Sequence, residues 1–281
     1  MLKQRIITAV ALLAVLLPAV FYRDPLAFAL VATLLIGAAA WEWGNLNQLA
    51  GRSSIAIGIL CAALCLTSWH FGLHYDALRA LWIGLGSFWV ALGAWLLVRG
   101  SAAWLRIPKW LRVAGGVLAL WAAWLAVVKA RLIGINFLFS VLVLVWAADI
   151  FAYFAGRAFG GKLFKNKLAP SISPGKTWEG VVGGLCGVLL CAFVWLWLDG
   201  QMPAEPASIY TRLNANGTGF MVLAVIFLGA MSVVGDLVES LFKRSAGVKD
   251  SSNLLPGHGG VLDRVDALLP ILPLAMMFVS L

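Results

Sequence analysis

The sequence predicts an all-α, polytopic integral membrane protein with about nine transmembrane helices. Of its 281 residues, 62% are hydrophobic and only 12% are charged, and the mean hydropathy is +0.95. A soluble domain carries about 25% charged residues, so this composition excludes a soluble globular protein. Apolar runs of about 20 residues, the length that crosses a bilayer, alternate with short polar turns. The predicted spans are about 5–22, 26–44, 54–72, 78–98, 111–130, 133–156, 178–199, 218–242 and 262–281.

The distribution of basic residues predicts the orientation of these spans. With the N-terminus in the cytoplasm, 16 of the 21 lysine and arginine residues lie in cytoplasmic segments, as the positive-inside rule requires. The other five are Arg23, Arg79, Lys129, Arg131 and Arg212. The net charge of +9 therefore reflects membrane orientation, and we expect no nucleic-acid partner.

The polar residues divide the chain into two regions. Residues 1–132 are predicted to form a hydrophobic transmembrane bundle whose first helix is retained and not cleaved as a signal peptide. Residues 133–281 are predicted to form the catalytic region, with cytoplasmic loops at 157–177 and 243–262.

Five carboxylates lie in or beside the apolar spans of the second region: Asp149, Asp236, Glu239, Asp263 and Asp266. A charge at the centre of a span costs about 2.5–3.5 kcal/mol, so such residues are functional candidates. Asp236 and Glu239 have i,i+3 spacing, as do Asp263 and Asp266, so each pair shares one helix face. Antiparallel packing would bring the two pairs together, and the converging charges would require a cation. Oxygen ligands without a Cys or His cluster favour Mg²⁺, which also binds substrate phosphates.

Two predicted cytoplasmic loops supply groups that bind anions. In the loop before the last span these are Lys243, Arg244, Lys249, His258, Arg264, Gly257, Gly259 and Gly260. Its glycines let backbone N–H groups approach a phosphate closely. Lys243 also lies at i,i+4 from Glu239, so an ion pair between them is the simpler alternative for that carboxylate.

The loop at 157–177 contains SPGKT, which lacks the frame of a P-loop. Ser173, Lys176 and Thr177 are nevertheless predicted to hold an anion at the N-terminus of the next helix. We interpret the lysines at 162, 165 and 167 as surface charges attracted to lipid headgroups.

The segment Ser240–Asp266 resembles the signature of the phosphatidate cytidylyltransferase family, also called CDP-diacylglycerol synthases. The matching positions are Ser240, Lys243, Arg244, Lys249, Asp250, Pro256, His258, Gly259, Gly260, Asp263, Arg264 and Asp266. The segment Ser171–Gly180 resembles the second polar segment of the family, and Asp149 resembles the polar position of its sixth span. The resemblance covers about residues 140–281.

The resemblance implies a membrane enzyme that converts CTP and phosphatidate into CDP-diacylglycerol and pyrophosphate in phospholipid biosynthesis. It implies Mg²⁺ bound by Asp236, Asp263 and Asp266, a second cation such as K⁺, and a homodimer in a bacterial-type cytoplasmic (inner) membrane with the active site facing the cytoplasm. The catalytic candidates are Asp236, Lys243, Arg244, Lys249, Asp250, His258, Asp263, Arg264 and Asp266. The candidates for substrate binding are Asp149, Ser173, Lys176, Thr177, Glu179, Gly259 and Gly260.

Two alternative functions share parts of this pattern. A CTP-dependent polyprenol kinase would also use CTP and Mg²⁺, but it would transfer the γ-phosphoryl group to an alcohol and would need a general base. An ion-coupled transporter would also place carboxylates at membrane depth. It would, however, predict inverted repeats and polar residues in both halves of the chain, and neither is present in the sequence.

Overall fold

The computed structural model describes residues 2–75, 78–202 and 206–281, which are helical and contain no β-strand. The helices are α1 (Leu2–Phe21), α2 (Pro25–Leu46), α3 (Gly51–His70), α4 (Arg79–Arg106), α5 (Lys109–Ile133), α6 (Ile135–Phe159), α7 (Trp178–Gln201), α8 (Ile209–Asn214), α9 (Thr218–Ser245), α10 (Leu262–Val265) and α11 (Leu268–Ser280). Eight of these helices, α1 to α7 and α9, are long and apolar enough to cross a membrane. The structure therefore confirms the all-α, polytopic class.

The structure differs from the prediction at the ninth span. The segment 262–281 forms two helices, and the second, α11, has 13 residues. At 1.5 Å per residue α11 is about 20 Å long, which is shorter than the hydrocarbon core of a bilayer. Pro270 has no N–H to bond to the carbonyl of Asp266, so the helical ladder is interrupted where α11 begins. The apolar run alone did not reveal this interruption.

The fourth helix also extends further than predicted. α4 continues past the predicted end at 98 to Arg106, with one change of direction at Gly100, where φ is 72°. Only glycine adopts this backbone conformation without strain. The extension buries Trp104, whose ring packs against Phe242 of α9 at a centroid distance of 4.2 Å.

Small residues allow α6 and α7 to pack closely. A Cβ at Gly184 would lie 2.8 Å from the carbonyl oxygen of Ala148, and one at Gly183 would lie 2.1 Å from the Cβ of Ala155. Small residues at a helix interface permit this approach in membrane proteins. The contact brings the C-terminal end of α6 beside the N-terminal end of α7.

The two predicted regions share one buried core. Trp43 of α2 packs against Phe242 of α9 with ring centroids 5.1 Å apart, and its indole N–H faces the carbonyls of Arg112 and Val113 in α5. Large apolar side chains such as Leu34 and Leu223 are at least 70% exposed. Such outward-facing side chains are typical of helices that contact lipid.

Candidate active site

A charged cavity of about 430 Å³ lies between α6, α7, α9 and the loop at 160–177. Its polar lining residues are Asp149, Tyr153, Arg157, Lys176, Thr177 and Asp236. Four of them were predicted site residues from three separate parts of the sequence. Tyr153 and Arg157 were not singled out, and the Arg157 guanidinium donates to the Tyr153 hydroxyl at 2.9 Å.

An ion pair crosses this cavity. Lys176 Nζ lies 2.5 Å from Asp236 Oδ2, so a cation of the loop meets a carboxylate of α9. The backbone of the loop positions the lysine, because Lys176 donates its N–H to the carbonyl of Ser173 at 3.2 Å and its own carbonyl accepts the N–H of Leu168 at 3.2 Å. Thr177 then caps α7 by accepting the N–H of Gly180 at 3.1 Å. Both side chains of the ion pair remain partly exposed, at 25% and 30%, so a ligand can reach them.

Asp266 brings a third carboxylate close to Asp236 and Asp149. Burial, followed by the negative charges of Asp236 and Asp149, raises the pKa of Asp266 to about 7. Burial and these two neighbouring carboxylates therefore disfavour the ionised form of Asp266. A cation or a cationic partner would lower the free energy of the ionised state.

Asp263 lies in a separate buried group, which we call the Asp263 cluster: Glu42, Glu239, Lys243, Ser251, Gly260 and Asp263. Asp263 Oδ1 accepts from Lys243 Nζ at 2.7 Å. Asp263 Oδ2 accepts from the N–H groups of Gly260 at 2.7 Å and Ser251 at 2.9 Å, and from the Ser251 hydroxyl at 2.9 Å. Burial alone would raise the pKa of Asp263, but the hydrogen bonds from Lys243, Gly260 and Ser251 outweigh it and lower the pKa to about 2.

Lys243 joins two helices inside this cluster. Its ammonium lies 2.6 Å from Glu239 on α9 and 2.7 Å from Asp263 on α10. The predicted i,i+4 pair with Glu239 is confirmed. The two i,i+3 pairs of the sequence do meet, but their carboxylates are divided. Glu239 and Asp263 belong to the Asp263 cluster, whereas Asp236 lines the cavity and Asp266 lies near it.

The three aspartates predicted to share a cation do not form one group in this structure. Across residues 2–75, 78–202 and 206–281, no three His, Cys, Asp or Glu side chains are close enough to hold a metal ion together. Asp236 and Asp266 are neighbours, whereas both oxygens of Asp263 accept hydrogen bonds from protein donors. Mg²⁺ commonly uses only one or two carboxylates and completes its shell with water and phosphate. The two remaining carboxylates, Asp236 and Asp266, therefore fit this ion.

Two other predicted site residues form hydrogen bonds with the backbone of a loop. Glu179 is 3% exposed, and its Oε1 accepts the N–H groups of Gly161, Leu163 and Phe164 at 2.9–3.0 Å. Arg244 donates from Nε to the carbonyl of Ile172 at 3.3 Å, which links α9 to the loop at 160–177. Neither side chain lines the charged cavity.

The remaining candidates lie along the loop at 246–261 or beside the cavity. Lys249, Asp250 and Arg264 are exposed, and His258 is half-buried. Gly259 has φ +82° and sits so close to Asp263 that a Cβ would lie 2.8 Å from its Oδ2. Ser173 forms the turn before Lys176, where its N–H bonds to the carbonyl of Ala169 at 2.8 Å.

Glu42 is a residue that the sequence analysis missed. It lies in α2, within the region interpreted as a plain hydrophobic bundle, and its side chain is fully buried at 0% exposure. Its two oxygens bind the loop that contains the family-like signature. The signal was available, because a lone acidic residue inside an apolar span is itself a functional candidate.

These features define a class of protein: a multi-pass helical membrane protein with a charged cavity and a buried loop cluster at one end of its helices. A model described as the cytidylyltransferase family matches residues 3–281. The chain therefore belongs to the cytidylyltransferase family.

Relatives with assigned names cover most of the chain. It is 38% identical to the phosphatidate cytidylyltransferase of Pseudomonas aeruginosa over 278 residues, which is 97% of this chain and 95% of that protein. It is 38% identical to the phosphatidate cytidylyltransferase of Haemophilus influenzae, over 99% of this chain and 98% of that protein. The phosphatidate cytidylyltransferase of Bacillus subtilis matches 53% of this chain, also at 38% identity.

Proposed function

We propose that this protein is a phosphatidate cytidylyltransferase that forms CDP-diacylglycerol and pyrophosphate from CTP and phosphatidate. The observation that carries the proposal is the convergence of the signature-like segment Ser171–Gly180 with Asp149 and Asp236 at one charged cavity, where Lys176 meets Asp236 at 2.5 Å. The names of the nearly full-length relatives support the same reaction. A cavity of about 430 Å³ that combines cations with carboxylates suits a phosphate-rich ligand and its counter-ion.

The chemistry needs little from a general base. A phosphate monoester has a second pKa of about 6, so the headgroup of phosphatidate is already a nucleophile at neutral pH. It attacks the α-phosphorus of CTP in line, a new P–O bond forms, and the bond to the departing pyrophosphate breaks. Lys176 and Arg157 compensate the negative charge, as cations do in phosphoryl transfer generally.

Asp236 and Asp266 are the residues that would hold Mg²⁺, with Asp149 beside them. The ion supplies charge neutralisation for the triphosphate. A positive charge there would also favour the ionised form of Asp266, whose pKa is raised by burial and by the charges of Asp236 and Asp149. A second cation such as K⁺ and a homodimeric assembly remain part of the proposal.

The active site is proposed to face the cytoplasm of a bacterial inner membrane. The loop at 246–261 lies at the same end of the helices as the N-terminus, because Arg5 and Thr8 of α1 donate hydrogen bonds to the carbonyls of Gly257 and Pro256. Arg244 links the loop at 160–177 to this end through the carbonyl of Ile172. A cavity at this end can receive soluble CTP from the cytoplasm and a lipid from the inner leaflet.

A cysteine at Asn253 should react with an impermeant thiol reagent from the cytoplasmic side, and one at Asn216 from the opposite side. The reverse labelling pattern would overturn this orientation.

The reaction is tested by following both products from CTP labelled either at the α-phosphate or at the γ-phosphate. With phosphatidate and Mg²⁺, we expect the α-label in the lipid extract and the γ-label in pyrophosphate. Transfer of the γ-label into lipid would instead indicate a CTP-dependent lipid kinase. Absence of both products from purified, folded protein would refute the proposed function.

A further inference from the structure

Glu42 binds a loop that lies more than two hundred residues away in sequence. Its Oε1 accepts from the Ser252 hydroxyl at 2.5 Å and from the N–H of Val261 at 3.0 Å. Its Oε2 accepts from the N–H of Leu262 at 2.7 Å and contacts the Ser251 hydroxyl at 3.2 Å. All four donors belong to the segment 251–262, which ends at the start of α10.

A buried carboxylate is costly unless its hydrogen bonds replace those it made with water. None of the salt bridges among the described residues includes Glu42, so these loop donors are what stabilise its charge. The dependence is mutual, because the N–H groups of Val261 and Leu262 are also buried and need an acceptor. The loop can therefore keep this conformation only while Glu42 remains an acceptor at both oxygens.

The loop is coupled directly to Asp263. The Ser251 hydroxyl lies between Glu42 and Asp263, at 3.2 and 2.9 Å. The packing leaves no space for a side chain at 260, where a Cβ would lie 2.0 Å from Ser251 Oγ and 2.5 Å from Glu42 Oε1. A shift of Glu42 thus displaces the segment 251–262. This segment leads directly into Asp263, and Asp266 follows three residues later.

We propose that Glu42 is a positioning residue for the cytidylyltransfer reaction. It holds the segment 251–262 against α2 and so fixes α10, which places Asp266 beside Asp236. This inference rests on the proposed function for its catalytic consequence, while the hold on the loop is a structural claim that can be tested separately. The N-terminal helices thereby contribute to the active site without reaching the charged cavity.

The test compares Glu42→Gln with Thr33→Val. The glutamine has the same shape, but its amide group would face donors at one of the two oxygen positions. Thr33 lies on the same helix, is also buried at 4% exposure, and donates its hydroxyl to the carbonyl of Ala29 in its own helix at 2.8 Å. Thr33→Val therefore controls for the loss of a buried polar group in α2.

The first readout is hydrogen exchange of the intact purified protein, followed by mass spectrometry. Glu42→Gln should accelerate exchange in the segment 251–262. It should leave the loop at 161–164 unchanged, because Glu179 holds the amides of that loop independently. Equally accelerated hydrogen exchange in both loops would overturn the proposal, and so would unchanged exchange in both.

The second readout is the dependence of turnover on Mg²⁺. Misplacing residues that support metal ligands typically changes metal affinity or activity by about 10- to 100-fold, so Glu42→Gln should raise the half-saturating Mg²⁺ concentration about tenfold and lower kcat. A lower kcat at an unchanged Mg²⁺ requirement would mean only a smaller folded fraction, and would refute a positioning role. If wild-type protein forms no product, the proposed function fails while the exchange result still decides the structural claim.

Should Glu42→Gln not accumulate in the membrane, Ser252→Ala removes a single donor to Glu42 Oε1 from the loop side. The same selective exchange pattern, with smaller amplitude, is then expected, together with a smaller rise in the Mg²⁺ requirement. Wild-type exchange and wild-type Mg²⁺ dependence in Ser252→Ala would overturn the proposal.

Discussion

Replacing Lys243 by methionine should destabilise the protein rather than simply weaken its affinity for CTP. Lys243 is 13% exposed and lies 2.6 and 2.7 Å from two carboxylates that are each 3% exposed. Its removal leaves Glu239 and Asp263 buried without their common cation. Breaking a buried ion pair in this way costs about 3–5 kcal/mol. For a chain of this size, that loss lowers the Tm by about 6–20 °C.

The assay is thermal unfolding in one detergent at neutral pH, with the kinetics for CTP measured on the same samples. Lys165→Met is the control, because Lys165 is an exposed lysine of the loop at 160–177. Adding Glu239→Gln to Lys243→Met should recover part of the lost stability, since one of the two uncompensated charges is then removed. An unchanged Tm combined with a raised KM for CTP would refute this reasoning. It would support the sequence-based interpretation of Lys243 as a phosphate ligand.

Three further predictions concern the cavity and the loop. Lys176→Gln should lower kcat or raise the KM for CTP or phosphatidate by about tenfold or more, because it removes a point charge from the cavity. Lys165→Gln should change either constant by less than about twofold in the same kinetic assay, and equal effects at both lysines would contradict the assignment. Asp236→Asn should abolish most turnover in protein that still inserts and purifies, and near-normal turnover would exclude Asp236 from metal binding. Gly260→Ala should lower both the Tm and kcat, since its Cβ would lie 2.0 Å from Ser251 Oγ; wild-type values would contradict the close packing.

The spans were predictable because the length of an apolar run reflects the thickness of the bilayer. The last predicted span is divided into α10 and α11, because hydropathy alone overlooked Pro270 and the interrupted helical ladder. The span predicted for α4 was also too short, because Gly100 allows the helix to change direction and continue. Both differences come from backbone hydrogen bonding, to which a hydropathy average is insensitive.

The residues of the site were easier to predict than their roles. Lys176, Asp149 and Asp236 meet at the cavity, as convergence of polar groups at one end of the helices suggested. The roles of Glu179 and Asp263 depend on which backbone N–H groups the turns direct at them. Turn geometry is set by tertiary packing, so composition and spacing do not reveal it. Sequence distance concealed the partners of Glu42, because they lie at the other end of the chain.

The division of the carboxylates between two clusters explains how the cavity can exist. The i,i+3 pairs on α9 and α10 each direct one carboxylate to the Asp263 cluster, where Lys243 and backbone N–H groups stabilise the charge. This stable cluster fixes the relative position of the two helices. Their second carboxylates, Asp236 and Asp266, are then held near each other although their charges repel. Carboxylates that are held close together repel each other, so the adjacent satisfied cluster must supply the rigidity that keeps them in place.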